Sequence, residues 1–151
     1  MAEGSEDAGA STDVVVLSES ECFELLGVAT VGRIGFVTPE SIEILPLVYR
    51  LGADHRLFMT TSRSGVVARL AATASIVAFE VDFHAEDFGR AWSVLMNGTV
   101  SLLDSAATGA FEALRRPPVP WPELVDTIPV QFRPRTIAGR VLLHQHTPLV
   151  S

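Results

Sequence analysis

Short apolar runs separated by polar turns recur along this chain, and most of them alternate in the way that predicts β-strands. Helical spacing occurs only in short segments: one after the Ser18–Glu21 capping pattern, one at 65–72 and one at 105–116. Because helical crossovers between most strands are missing, the pattern predicts a mainly β fold, a small antiparallel barrel with short helices. The strand-like runs cover, in chain order, 31–37, 42–50, 56–61, 75–82, 91–103, 130–132 and 136–144.

Several positions within these runs carry specific expectations. Pro46 cannot donate a ladder hydrogen bond, so its strand is expected at an edge, at a bulge or where the sheet opens toward a ligand. Asn97-Gly98 predicts a bulge that curls the long strand around it. Arg33 lies in an apolar strand, where we expect it to pair with Glu80 or another acid, and contact with a cofactor is the alternative. The unbroken apolar centre of 75–82 predicts a strand that is buried on both faces.

The acidic residues are concentrated at the start of the chain. Seven of the 18 acidic side chains precede the first basic residue, Arg33, which leaves 11 acids against 11 bases in the rest. Residues 1–14 are also small and polar, so we predict a disordered acidic leader followed by one domain over 15–147. A balanced body without a basic face argues against a nucleic-acid binder. No apolar run approaches the roughly 20 residues of a membrane-spanning helix, and no secretory signal is visible, which predicts a cytoplasmic protein.

The reactive side chains exclude several kinds of chemistry. All 11 basic residues are arginine, so an anion site must use guanidinium groups or backbone amides, and Schiff-base chemistry on lysine is excluded. Cys22 lies in the predicted first helix, where we expect a packed and unreactive thiol. His144 and His146 share a strand face but lack a recognisable third ligand, so no metal site is predicted. No nucleophile has a visible base partner, which argues against a hydrolase and leaves no catalytic residue to name.

The most distinctive polar segment is Thr60-Thr61-Ser62-Arg63-Ser64, where a predicted strand ends just before a predicted helix. Hydroxyl groups, an arginine and the free N–H groups at such a junction can together bind a phosphate. The alternative is an ordinary turn, with an exposed Arg63 and with Ser64 as the helix N-cap. The sequence pattern alone leaves both interpretations open.

In their order along the chain, a series of segments resembles the pyridoxamine 5′-phosphate oxidase-like flavin-binding split barrels. Each segment is short, and together they span nearly everything after the acidic leader. They are Leu25-Leu26 with Val31-Gly32-Arg33-Ile34, then Leu45 to Tyr49, Leu57 to Thr61, Val77 to Asp82, Ala91 to Gly98, and Phe132 to Arg140.

This resemblance implies a split antiparallel β-barrel, a homodimer, and FMN held at the interface between the subunits, with a deazaflavin as the alternative cofactor. It also implies an oxidoreductase-like activity on a small organic substrate, in which the flavin ring performs the redox chemistry. Trp92 could equally be a core or interface anchor. The residues that the resemblance places around the cofactor are Pro46, Leu47, Val48, Thr60, Thr61, Ser62, Arg63 and Ser64, with Trp92 and Ser93 from the other subunit.

One position departs from the pattern of that family. Where relatives usually carry a basic residue or a basic pair to hold the phosphate, this chain has Gly65-Val66. Arg63 and Arg69 are the candidates to compensate, and we expect Arg63 to contribute more. The alternative is a cofactor-free split-barrel dimer that binds a ligand or a protein partner, having lost the flavin phosphate site.

Overall fold

The computed structural model describes residues 10–85, 90–114 and 126–146 of the chain. The helices and strands of these residues are β1 (Ala10–Leu17), α1 (Glu19–Val28), β2 (Val31–Val37), β3 (Ile42–Val48), β4 (Arg50–Leu51), β5 (Leu57–Ser62), α2 (Val66–Ala72), β6 (Ile76–Ala85), β7 (Arg90–Leu102), α3 (Ser105–Glu112) and β8 (Thr127–His146). The strands form one sheet in the order β3-β2-β6-β7-β8-β5-β4, with β1 also paired to β8. All of these pairs are antiparallel. The prediction of a mainly β, split antiparallel barrel is confirmed.

The two edges of the sheet are joined by a single residue, Tyr49. β3 ends at Val48 and β4 begins at Arg50, although these strands lie at opposite ends of the sheet order. The sheet therefore has to curl until its two edges approach each other. Tyr49 is buried at this closure, where its hydroxyl donates a 2.7 Å hydrogen bond to the carbonyl oxygen of Leu26 in α1. The closure of the barrel and the last turn of α1 are thus fixed to each other.

Alternate side chains of β2, β6 and β7 fill the interior of the curled sheet. On β6, Phe79 packs edge-on against Tyr49 at 5.6 Å between ring centroids and lies 5.5 Å from the ring of Phe132 on β8. We call this side of the sheet the inner face and the opposite side the outer face. On the outer face of β6, Ile76 is 67% exposed. The expectation that 75–82 is buried on both faces is therefore wrong, because only one face of this strand lines the core.

The first strand differs from the prediction of a disordered leader over 1–14. β1 begins at Ala10 and pairs with the second half of β8, from Ala10 opposite His146 to Leu17 opposite Gly139. Ladder hydrogen bonds come from the backbone, so a polar segment such as Ser11 to Asp13 can join a strand that continues into Val14. Residues 1–9 of the predicted leader lie outside the described residues.

Helix α1 begins with the predicted capping box, which is confirmed. The Ser18 hydroxyl accepts a hydrogen bond from the Glu21 N–H, and the Glu21 carboxylate accepts one from the Ser18 N–H at 3.0 Å. These bonds hold the pKa of Glu21 below its ordinary value. Cys22 follows in the first turn and is 1% exposed, packed as predicted, and burial raises the pKa of its thiol.

The last predicted strands, 130–132 and 136–144, form one continuous strand, β8. β7 pairs along one edge of β8, while β5 pairs with residues 127–132 and β1 with residues 139–146 on the other edge. Pro134 lies between the β5 and β1 segments and beside a register shift at Asn97/Gly98, so its missing N–H interrupts little of the ladder. That register shift confirms the predicted bulge. The side chains of His144 and His146 lie outside the described ones.

Candidate functional site

The turn between β5 and α2, residues 62–65, is compact and carries two hydroxyl groups. The Gly65 N–H donates a 3.0 Å hydrogen bond to the Ser62 carbonyl, and the hydroxyl oxygens of Ser62 and Ser64 are 3.4 Å apart. Helix α2 begins at Val66, with Gly65 as the N-cap and no side-chain cap. The interpretation of Ser64 as the N-cap is therefore wrong, since its hydroxyl bonds to another hydroxyl and caps no helix N–H.

Two guanidinium groups reach this turn. Arg69 Nη1 donates a 3.0 Å hydrogen bond to the carbonyl oxygen of Ser64. Arg63 donates from its backbone N–H to the Asp126 carbonyl and from Nε to Asp126 Oδ1, both at 3.0 Å. The Arg63–Asp126 pair is exposed, with 61% and 70% of the two side chains accessible. Within the described parts of the chain, Arg69 has no acidic partner, so its positive charge is the less neutralised of the two.

Strand β5 divides the predicted site residues between its two faces. Thr61 is 6% exposed and points to the inner face, whereas Thr60 is exposed on the outer face with Ser62. This division follows from the alternation of side chains along a strand. Of the three hydroxyl residues of β5, only Thr60 and Ser62 can therefore offer a side-chain hydroxyl to a ligand outside the barrel.

Strand β3 divides its three predicted residues in the same way. Leu47 packs against the core, while Pro46 and Val48 lie on the outer face. β3 is an edge of the sheet, as Pro46 requires, and it also contacts β5 where the sheet closes. Because β3 pairs only with β2 in the described sheet, backbone groups along its other edge stay available to a ligand.

Strand β7 separates Trp92 from Ser93. Trp92 is 7% exposed on the inner face and stacks on Phe83, with 6.4 Å between the ring centroids. Ser93 lies on the outer face, in register with Asp82 of β6 on one side and with Arg140 of β8 on the other. Of the two residues expected to contact the other subunit's cofactor, Ser93 is partly exposed on the outer face and Trp92 is buried in the core.

The outer face next to Pro46 carries an ion-pair cluster of Arg33, Glu80 and Asp82. Arg33 Nη1 donates to Glu80 Oε2 at 2.9 Å and to Asp82 Oδ1 at 3.0 Å, which confirms the predicted pairing with Glu80. The two carboxylates raise the pKa of Arg33 through their hydrogen bonds. The pKa of Glu80 is also raised, mainly by burial, because one shared guanidinium does not offset the burial and the Asp82 charge.

Two functional neighbours were missed by the sequence analysis. Asp82 could have been found, because it lies two residues after Glu80 and so shares its strand face. Asp126 could not, since only the pairing of Ser62 with Thr127 brings it to Arg63. The ten predicted cofactor residues thus divide into seven on the outer face or in the turn and three that face inward, Leu47, Thr61 and Trp92.

Comparison with known proteins gives this arrangement a family. A family model described as pyridoxamine 5′-phosphate oxidase matches residues 18–141. The chain belongs to the pyridoxamine 5′-phosphate oxidase family. The match begins at the Ser18 cap and ends in β8, so it includes both β3 and the β5–α2 turn. A search of curated proteins found no match.

Solved structures show the same fold as this pyridoxamine 5′-phosphate oxidase family member. The FAD binding protein from Mycobacterium smegmatis is 25% identical, with a TM-score of 0.71 over 84% of this chain and 98% of that chain. A FAD-binding protein from Mesorhizobium loti is 20% identical, with a TM-score of 0.69 over 85% and 97%. The FAD and heme binding protein from M. smegmatis is 15% identical, with a TM-score of 0.63 over 93% and 74%. The last two likenesses concern the fold alone.

The described residues also bear on metal binding and on membrane insertion. No group of three or more His, Cys, Asp or Glu side chains is placed to hold a metal ion there. None of the helices in those residues is long and apolar enough to cross a membrane.

Proposed function

We propose that this protein is a flavin-binding, oxidoreductase-like homodimer that acts on a small organic substrate. FMN is the expected cofactor, and FAD and a deazaflavin are the alternatives. The observation that carries the proposal is the β5–α2 turn, where Arg63, Arg69 and the hydroxyls of Ser62 and Ser64 stand together. Membership of the family and the 25% identity to a FAD binding protein support it.

The donor groups of this turn fit a phosphate. Guanidinium and hydroxyl groups are hydrogen-bond donors to phosphate oxygens, and each charge-assisted bond contributes about 1.5–3 kcal/mol. Val66, at the position where relatives usually carry a cation, packs against the core. The positive charge therefore has to come from Arg69, one turn further along the helix, and from Arg63, whose Nε is bonded to Asp126 while its other guanidinium nitrogens can still donate to a phosphate.

Strand β3 would provide the surface for the flavin ring. Pro46 and Val48 form an apolar outer surface there, and the free strand edge offers backbone groups to the polar rim of a ring. A bound flavin would supply the redox chemistry, so this chain needs to bind, orient and shield it without an acid or base of its own.

The homodimer is supported by the apolar outer face of β1, β7 and β8. Val16 is 81% exposed, Val14 59%, Leu95 50% and Leu142 38%, and all four lie on that face. A contiguous exposed patch of this kind is typical of a protein interface. Ser93 lies in the middle of it, where it would come close to a second copy of the chain.

Titration of the purified protein with FMN, FAD and a deazaflavin in separate experiments tests this function. We expect the visible absorbance spectrum of at least one of these cofactors to change on binding, with a change that saturates as protein sites fill. If none binds saturably, the cofactor-free split-barrel dimer replaces the proposal. The core packing of Val66 is the observation that favours this alternative.

A further inference from the structure

The outer face of the sheet carries charges that one protomer leaves unbalanced. Arg33 is shared by Glu80 and Asp82, so this cluster has two carboxylates and one guanidinium. Asp82 remains half exposed, with 52% of its side chain accessible. Two strands away on the same face, Arg140 is exposed and has no acidic partner among the residues described.

The strand register places Ser93 midway between the two unbalanced groups. It is opposite Asp82 across the β6–β7 ladder and opposite Arg140 across the β7–β8 ladder. Neighbouring strands are about 4.8 Å apart, so the backbones of Asp82 and Arg140 are separated by about 10 Å. Within one protomer the two side chains form no ion pair, because Asp82 turns toward Arg33 instead. Consider a two-fold axis that lies in the interface and runs parallel to β7 above Ser93. It would place a second copy's Arg140 opposite Asp82, and a second copy's Asp82 opposite Arg140.

We infer that a second copy of this chain packs on the outer face about such an axis, so that Asp82 pairs with the partner subunit's Arg140. The two-fold symmetry forms this ion pair twice, once with Asp82 from each subunit. The inference rests on the homodimer of the proposed function and specifies its face, its axis and the ion pair that sets its register.

The apolar residues around Ser93 would be buried in this dimer, and their burial makes the Asp82–Arg140 ion pair necessary. Leu95 follows it on the same face and meets its own copy near the axis, while Val16 and Leu142 flank Arg140. Packing these side chains together removes water from the strip that also contains Asp82. A carboxylate that shares one guanidinium with Glu80 would oppose that burial, whereas two symmetric ion pairs balance the charge of the interface.

Charge reversal tests the contact directly. Asp82→Arg alone brings two pairs of guanidinium groups together in a homodimer, and Arg140→Asp alone brings two pairs of carboxylates together, so both variants are repulsive. We expect each variant to raise the dimer dissociation constant, measured by sedimentation equilibrium, by about 100-fold or more. When the two variants are mixed, both contacts of a heterodimer join opposite charges: the introduced guanidinium faces the introduced carboxylate, and the native Asp82 of one chain faces the native Arg140 of the other. The heterodimer should therefore form more tightly than either variant homodimer. Arg135→Asp, on the same strand with the same charge change, is the control and should stay dimeric.

The outcomes separate this inference from the proposed function. If the wild-type protein is a monomer at micromolar concentration, the homodimer itself is wrong and the inference fails with it. If the wild type is a dimer but the single variants also dimerise, or do not complement each other, only the inference is overturned. Circular dichroism checks that each variant is folded. If either variant is unfolded, Asp82→Asn and Arg140→Gln replace them. Each of these should raise the dimer dissociation constant by about 10-fold, and an unchanged dissociation constant would contradict the inference.

Discussion

Arg69 and Ser64 are joined by a 3.0 Å hydrogen bond from the guanidinium Nη1 to the carbonyl oxygen. The bond bends a side chain from the body of α2 back onto the turn that precedes the helix. It brings a positive charge to the β5–α2 turn, where Val66 is apolar and packs against the core. In the proposed function, Arg69 would therefore supply the positive charge that Val66 does not.

Arg69→Ala should weaken flavin binding more than Arg63→Ala. Arg63 already forms an ion pair with Asp126, whereas Arg69 has no acidic partner in the part of the chain described. We expect a loss of about 10-fold or more for Arg69→Ala, corresponding to one charge-assisted hydrogen bond, and of less than about 5-fold for Arg63→Ala. This order reverses the expectation from sequence. Fluorescence titration of the bound flavin measures both constants, with Arg135→Ala as the control, and a larger loss for Arg63→Ala contradicts the role given to Arg69.

Gly98→Ala should destabilise the protein, while Gly109→Ala should not. A Cβ at Gly98 would overlap the carbonyl oxygen of Arg133 at the β7–β8 bulge, so the backbone has to move, at a cost of about 2 kcal/mol or more. At Gly109, in α3, a Cβ meets nothing within 4 Å. There the better helix propensity of alanine should raise the free energy of unfolding by about 0.5–1 kcal/mol. Urea denaturation at one protein concentration compares the two, and equal effects would show that the bulge tolerates a side chain.

Tyr49→Phe should lower the free energy of unfolding by about 1–3 kcal/mol at neutral pH, because the buried Leu26 carbonyl loses its donor. The chain has one tyrosine, so its titration is seen alone in the ultraviolet difference spectrum. Burial raises the pKa of Tyr49 far above its ordinary value of 10.0.

The direction of this shift fixes the pH dependence. The folded protein keeps Tyr49 protonated where the unfolded chain has begun to ionise, so its stabilising contribution is complete below pH 10 and declines as the pH rises through and beyond that value. The difference in unfolding free energy between the wild type and Tyr49→Phe should therefore shrink above pH 10. A difference that stays constant up to pH 11 would contradict burial of the hydroxyl.

The sequence predicted the features that depend on local alternation and missed those that depend on pairing. The Asn97-Gly98 bulge and the edge position of Pro46, one of the three places expected for it, follow from residue types within single strands. The Arg33–Glu80 pair joins two strands and was expected only because a charged side chain in an apolar strand needs an acidic partner. The continuity of β8 through Pro134 depends on which strands lie beside it, and strand propensity carries no such information.

The candidate site shows the same limit. Thr60, Ser62 and Arg63 could be proposed from the polar segment and the family resemblance. Thr61, between Thr60 and Ser62, faces the core instead, and strand periodicity alone predicts this, because three consecutive residues of β5 cannot share one face. The Arg63–Asp126 pair joins residues 63 positions apart and could not be predicted without the β5–β8 register.

The central claim is that the β5–α2 turn holds the phosphate of a flavin without a basic residue at position 66. Comparing the affinities of FMN and riboflavin, which lacks the phosphate, tests it most directly. The account predicts that the wild-type protein binds FMN at least about 10-fold more tightly, and that Arg69→Ala removes most of this preference. Equal affinities of the wild-type protein for FMN and riboflavin would contradict it.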